Sequence, residues 1–167
     1  MQLEPDYTLP VDKLLMAADS HSKVIWICSP NNPTGSAIES SDIERILESF
    51  QGMVVVDEAY IDFSQKGSMI EKLQKYPNLI VLQTFSKAWG MAGLRLGMAF
   101  AVPEVAELFA RVKYPYNVNG PTQIEVMRRI QQGVDAQIKE ICEQRDMLEH
   151  ELAQIPVVKA VFPSDAN

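Results

Sequence analysis

Apolar runs recur through the first part of the chain, and each closes on a polar cluster. The runs "KVIWICS", "MVVVDEAY" and "NLIVLQTF" are rich in β-branched residues and read as buried strands. The first leads into "PNNPTG", a strong turn signal. Helical spacing fills the gaps. "VDKLLMAAD", after Pro10, aligns Leu14, Leu15 and Ala18, and "SMIEKLQKY" predicts a short helix. "SSDIERILESF" offers serine caps and then sets Ile43, Ile46, Leu47 and Phe50 on one helical face. "LGMAFAV" predicts a fourth strand. Nearly all-apolar strands alternating with helices predict an α/β fold, its sheet mainly parallel and covered on both faces.

From Asn119 the pattern changes. Ile124, Met127, Val134, Ile138, Ile141, Leu148, Leu152 and Ile155 recur three or four apart, with a break near Gly133. That spacing predicts a long helical stretch in one or two pieces. "VVKAVFPS" then reads as strand-like.

Composition narrows the function classes. The chain has 167 residues, 47% hydrophobic and 22% charged, the balance of a globular protein. A net charge of −7 without a basic cluster argues against nucleic acid. No apolar run approaches the roughly 20 residues of a membrane span, and "MQLEPDYTLP" lacks the basic and apolar parts of a secretory signal. Cys28 and Cys142 stand far apart and His21 and His150 are isolated, so a reduced, cytoplasmic setting without a metal site is expected.

The polar clusters carry the chemistry. Asn32 follows the first strand, Asp57 and Tyr60 the second, and Thr84, Ser86 and Lys87 the third. Arg95 comes eight residues after Lys87, amid Leu94, Leu96 and Gly97. In open α/β sheets ligands bind beyond the carboxyl ends of the strands, so parallel neighbours would bring these clusters to one crevice. Any one of them could be an ordinary strand-to-loop transition. Together they are complementary. A lysine amine held away from water is a nucleophile toward an aldehyde. Asp57 suits a protonated pyridine nitrogen, and Tyr60 and Asn32 suit a phenolate oxygen. Arg95, Ser86 and Thr84 suit a phosphate. Those four features describe pyridoxal phosphate.

"NNPTG", "DEAYIDF" and "TFSKAWGMAGLRLG", in this order, resemble the fold-type I pyridoxal-phosphate aminotransferases. "YPYNVN" and "FPSDAN" are most similar to the branch acting on histidinol phosphate in histidine biosynthesis. The resemblance implies that Lys87 bonds to the cofactor and moves a proton at the substrate α-carbon. It implies Asp57 at the ring nitrogen, Tyr60 and Asn32 at the 3′-oxygen, and Ser86, Arg95 and Thr84 at the phosphate. It further implies a cis Asn32–Pro33 bond, 2-oxoglutarate as amino acceptor and a homodimer.

By the same resemblance, residues 1–118 form part of a large cofactor-binding domain, and residues 119–167 a helical connection entering a smaller one. The family's upstream phosphate loop and stacking aromatic, and its downstream substrate-binding arginine, cannot be located. The chain therefore reads as an internal piece, inactive alone. A threonine-phosphate decarboxylase and a non-catalytic assembly module are the competing readings. Glu58 and Asp62 are expected to be supporting or solvated groups. Trp89 and Met91 are expected in the core or the pocket wall, and Asn117 and Asn119 at a helix cap or on the substrate side.

Overall fold

The computed structural model describes all residues 1–167. The expected strands form: β1 (Val24–Cys28), β2 (Met53–Asp57), β3 (Leu79–Thr84) and β4 (Gly97–Phe100). They hydrogen-bond in the order β1-β2-β3-β4, the first three parallel and β4 antiparallel to β3. Helices α1 (Val11–Ala17) and α2 (Ser40–Ser49) pack on one face of this sheet. The alternation of each strand supplies Ile25 and Ile27, Val54 and Val56, and Leu79 and Val81 to that face. There they meet Ile43, Ile46, Leu47 and Phe50, the predicted apolar stripe of α2, every one of them buried.

Within this chain, coverage of the second face is uneven. Val55 and Ile80 are buried there, but on the edge strand Val24 and Trp26 are 54% and 62% exposed. The serines expected to cap α2 are instead its first two residues, Ser40 and Ser41. Glu39 is the N-cap residue, its carbonyl accepting from Asp42 N and Ile43 N, while Ser40 Oγ turns toward Met69 Sδ at 3.5 Å. The "SMIEKLQKY" helix shrinks to a single tight turn, Met69–Lys72, capped by Ser68. Asn78 then ties the α2–β2 connection to β3, its Nδ2 donating to Leu47 O at 3.0 Å.

Beyond the sheet come α3 (Pro103–Val112), α4 (Gly120–Gln132) and α5 (Asp135–Ala153). The first of these was not anticipated, although Pro103 in the first helical turn is a usual start signal. Asn119 caps α4 by accepting from Thr122 N at 2.9 Å, and Gly133, at φ +70°, separates α4 from α5 where the periodicity breaks. The strand expected at "VVKAVFPS" does not form. No neighbouring strand satisfies its backbone, and Val157 is 81% exposed. No helix is long and apolar enough to cross a membrane.

Of the two expectations for Glu58, the supporting one holds and the solvated one does not. The residue follows Asp57 at the end of β2, so it points to the opposite side, and it is 2% exposed. Its carboxylate accepts from Met69 N and Ser68 Oγ, both at 2.6 Å, and from Gln83 Nε2 at 2.9 Å. This buried network ties β2, β3 and the Ser68–Met69 turn together. Burial raises the Glu58 pKa above 4.5, and the hydrogen bonds oppose that shift. A carboxyl whose folded pKa is raised stabilises the native state fully below its unfolded value and loses that contribution as the pH rises through the folded value.

Two outcomes are expected in urea unfolding. Wild-type stability relative to Glu58→Gln should increase as the pH falls from neutral and level off below 4.5, the ordinary value of the group. A flat difference would show that Glu58 titrates as if unfolded. Ile46→Ala, at a fully buried position of α2, should cost about 2–5 kcal/mol.

Candidate active site

The register of the parallel strands aligns their carboxyl ends: Cys28 pairs with Asp57, and Asp57 with Leu82. Three loops leave this edge side by side, as the sequence pattern predicts. Burial pushes the Cys28 thiol up, the Asn32 backbone opposes, and the Asp57 charge adds to the rise. The residue beside Asp57 is therefore a neutral thiol.

The loop after β1 closes on itself. Asn31 N donates to Ser36 O and Gly35 N to Asn31 O, both at 2.8 Å, and Asn31 Nδ2 donates to Thr34 Oγ1. The Asn32–Pro33 bond is cis, as expected, and so is Ser29–Pro30. Asn32 Nδ2 donates to Tyr60 Oη at 3.2 Å, joining the first cluster to the second. Asp57 is half-buried and accepts from Ala59 N at 3.1 Å, which orients its carboxylate beyond the strand end.

The third loop follows β3. Thr84 Oγ1 accepts from Ser86 N at 3.0 Å, and Gly90 N closes a turn onto Lys87 O at 2.9 Å. Buried Phe85 anchors this loop against Met91 and Val126, with Trp89 edge-on to its ring at 5.8 Å. Met91 and Trp89 thus serve packing. Lys87 projects outward, its Nζ 4.9 Å from the centre of the Tyr60 ring. The expectation was a lysine held away from water; in this chain Lys87 is exposed. Arg95 is exposed too, at φ +53°, with Nη1 donating to Ala92 O at 2.8 Å.

Asp57, Thr84, Ser86, Lys87 and Arg95 line one open recess of about 420 Å³. Asn32 and Tyr60 line a separate hollow of about 150 Å³, and the Lys87–Tyr60 contact links the two groups of residues. Roomier hollows, of about 520 and 530 Å³, lie elsewhere, but neither gathers an amine, a carboxylate and a guanidinium. Gln83 also lines the recess and was not anticipated. An amide interrupting the apolar run "NLIVLQTF" was its signal. Asp62 is exposed and takes no part. An amine for a carbonyl, a carboxylate for a protonated ring nitrogen, and a guanidinium with two hydroxyls for a phosphate fit pyridoxal phosphate by chemistry.

Comparison with known proteins identifies the family of the chain. The family described as aminotransferase class I and II matches residues 1–167. The histidinol-phosphate aminotransferase of Bacteroides thetaiotaomicron is 47% identical over 167 residues, covering 99% of this chain and 48% of that protein. The chain thus spans about half the length of the curated relatives it matches. The crystal structure of histidinol-phosphate aminotransferase from Sinorhizobium meliloti in complex with pyridoxal-5'-phosphate superposes with a TM-score of 0.83 at 23% identity, over 100% of this chain and 47% of that one. L-threonine-O-3-phosphate decarboxylase from Porphyromonas gingivalis gives 0.75 at 24% identity, over 95% of this chain and 50% of that one. Those likenesses establish a shared fold, and the match along the whole sequence goes further: the chain belongs to the aminotransferase class I and II family.

Proposed function

We propose that this chain supplies the cofactor-side wall of a pyridoxal-phosphate-dependent aminotransferase that moves an amino group from histidinol phosphate to 2-oxoglutarate. The observation that carries the reading is the convergence of Asp57, Lys87 and Arg95, with two hydroxyl groups, on one recess. The Bacteroides relative bears the name of that activity, and the Sinorhizobium protein of the same fold holds the cofactor. Sequence likeness favours the aminotransferase over a decarboxylase, whose P. gingivalis representative shares the fold at 24% identity.

Pyridoxal phosphate, when bound, supplies an electron sink for charge developing at the substrate α-carbon. Lys87 Nζ provides the amine that holds the cofactor and moves the proton at that carbon. The Asp57 carboxylate accepts a hydrogen bond from the ring nitrogen and keeps its proton in place. Tyr60 Oη and Asn32 Nδ2, already paired, bind the 3′-oxygen. Arg95, Ser86 and Thr84 take the phosphate, with the Thr84 hydroxyl also holding Ser86 N. Residues 1–118 are read as part of the cofactor-binding domain, and 119–167 as the connection into a smaller one. A cytoplasmic homodimer is part of the same reading.

In a full-length enzyme carrying this chain, borohydride reduction with bound cofactor should place the label on the Lys87 peptide. A label on another lysine would overturn the assignment. Asp57→Asn should fold normally and lose at least about a hundredfold in kcat, the scale seen when one preorganised electrostatic group is removed. Glutamate should form from 2-oxoglutarate when histidinol phosphate is supplied. Carbon dioxide release from a phosphorylated amino acid would identify the decarboxylase instead.

A further inference from the structure

The loop carrying Asn32 is gripped on two sides. On one side Asn32 meets Tyr60. On the other, the segment after α5 folds back against it. Asp165 N donates to Gly35 O at 2.8 Å, and Ala37 N donates to Asp165 Oδ2 at 3.2 Å. One residue thus engages two positions of the loop, through its N–H and its carboxylate. The same carboxylate accepts from Ser64 Oγ at 3.4 Å and stands 3.6 Å from Lys66 Nζ. Both belong to the stretch just beyond Tyr60. Arg145 of α5 makes a parallel link, donating to Phe63 O at 3.2 Å and to Ala166 O at 2.9 Å.

Gly35 records how close this approach is. At φ +74° its backbone favours glycine, and a Cβ there would lie 2.3 Å from Ser164 Oγ. The "NPTG" glycine is therefore needed where the later segment docks.

We propose that Asp165 is a positioning residue. It clips the Gly35–Ala37 arm of the loop to the Phe63–Lys66 stretch, and the clip fixes the Asn32 arm against Tyr60. The loop is closed by its own hydrogen bonds, Asn31 N to Ser36 O and Gly35 N to Asn31 O. A closed ring of this size moves as a unit, so a shift of the Ala37 arm carries Asn32 with it. The Asn32–Tyr60 bond, at 3.2 Å, already stands at the long end of the normal range and tolerates little displacement. The clip itself stands on geometry alone, while the consequence at Asn32 rests on the functional reading above.

The experiment uses a full-length protein carrying this chain. Without cofactor, Asp165→Ala should speed hydrogen exchange of the 31–37 amides by about tenfold, as expected when a local hydrogen bond is lost. Asp165→Asn, which keeps an acceptor for Ala37 N, should recover most of the protection. Unchanged exchange in Asp165→Ala would overturn the clip. With cofactor, the readout is the pH midpoint of its visible absorbance. Asp165→Ala and Asn32→Ala should each raise that midpoint, and the double variant should raise it no further than Asn32→Ala alone. Additive shifts, or a lower melting temperature with an unmoved midpoint, would overturn the positioning role. A wild-type protein showing no cofactor absorbance would overturn the functional reading and the consequence at Asn32, while the exchange result would still decide the clip.

Discussion

The backbone register between β2 and its parallel neighbours governs the site. Cys28, Asp57 and Leu82 stand in line across the first three strands, which puts the exits of the Asn32, Tyr60 and Lys87 loops side by side. A one-residue slip would reverse every side chain of β2. Asp57 would then turn toward the side where Glu58 is buried, and Glu58 would enter the recess. The Glu58 hydrogen bonds to Met69 N, Ser68 Oγ and Gln83 Nε2 oppose that slip. Leaving that carboxylate buried without partners would cost far more than the bonds themselves contribute. Adjacent acidic residues therefore part company, Glu58 bound into the network that ties β2 to β3 and Asp57 lining the recess.

Charge at the recess runs against that of the molecule. The chain carries −7 overall, yet its recess sets Lys87 and Arg95 against Asp57 alone. A ligand bringing a phosphate and a protonated ring nitrogen complements both signs at once. Arg95 is placed at the recess by its left-handed backbone and its bond to the Ala92 carbonyl, and a planar guanidinium offers an anion paired donors that a lysine amine cannot.

Much of this was legible in the sequence for local reasons. Apolar β-branched runs mark the strands that find neighbours in the sheet, and the stripe Ile43–Ile46–Leu47–Phe50 specifies which face of α2 is buried. The misses were tertiary or came from weak local signals. The helix at Pro103–Val112 spaces Val105, Leu108, Phe109 and Val112 as one helical face, a signal that went unread, and none of its residues is buried. "VVKAVFPS" has strand composition but no partner in the sheet, and composition alone makes no hydrogen bonds. Glu58 and Asp57 are indistinguishable as neighbours in "VDEAY" until the register assigns them opposite sides. The apolar flanks of Lys87 suggested burial, but those flanks, Phe85 and Ala88, pack beneath the loop while the amine leaves it.

The Lys87 amine is held over the face of Tyr60, an interaction worth about 0.5–1 kcal/mol at an exposed position. Such a contact orients the side chain toward the recess without confining it. Tyr60 is itself fixed by Asn32, and Asn32 by the loop that Asp165 clips. A chain of contacts thus links Lys87 through Tyr60 and Asn32 to Asp165 of the segment after α5, which meets the Asn32 loop across a separation of 128 residues.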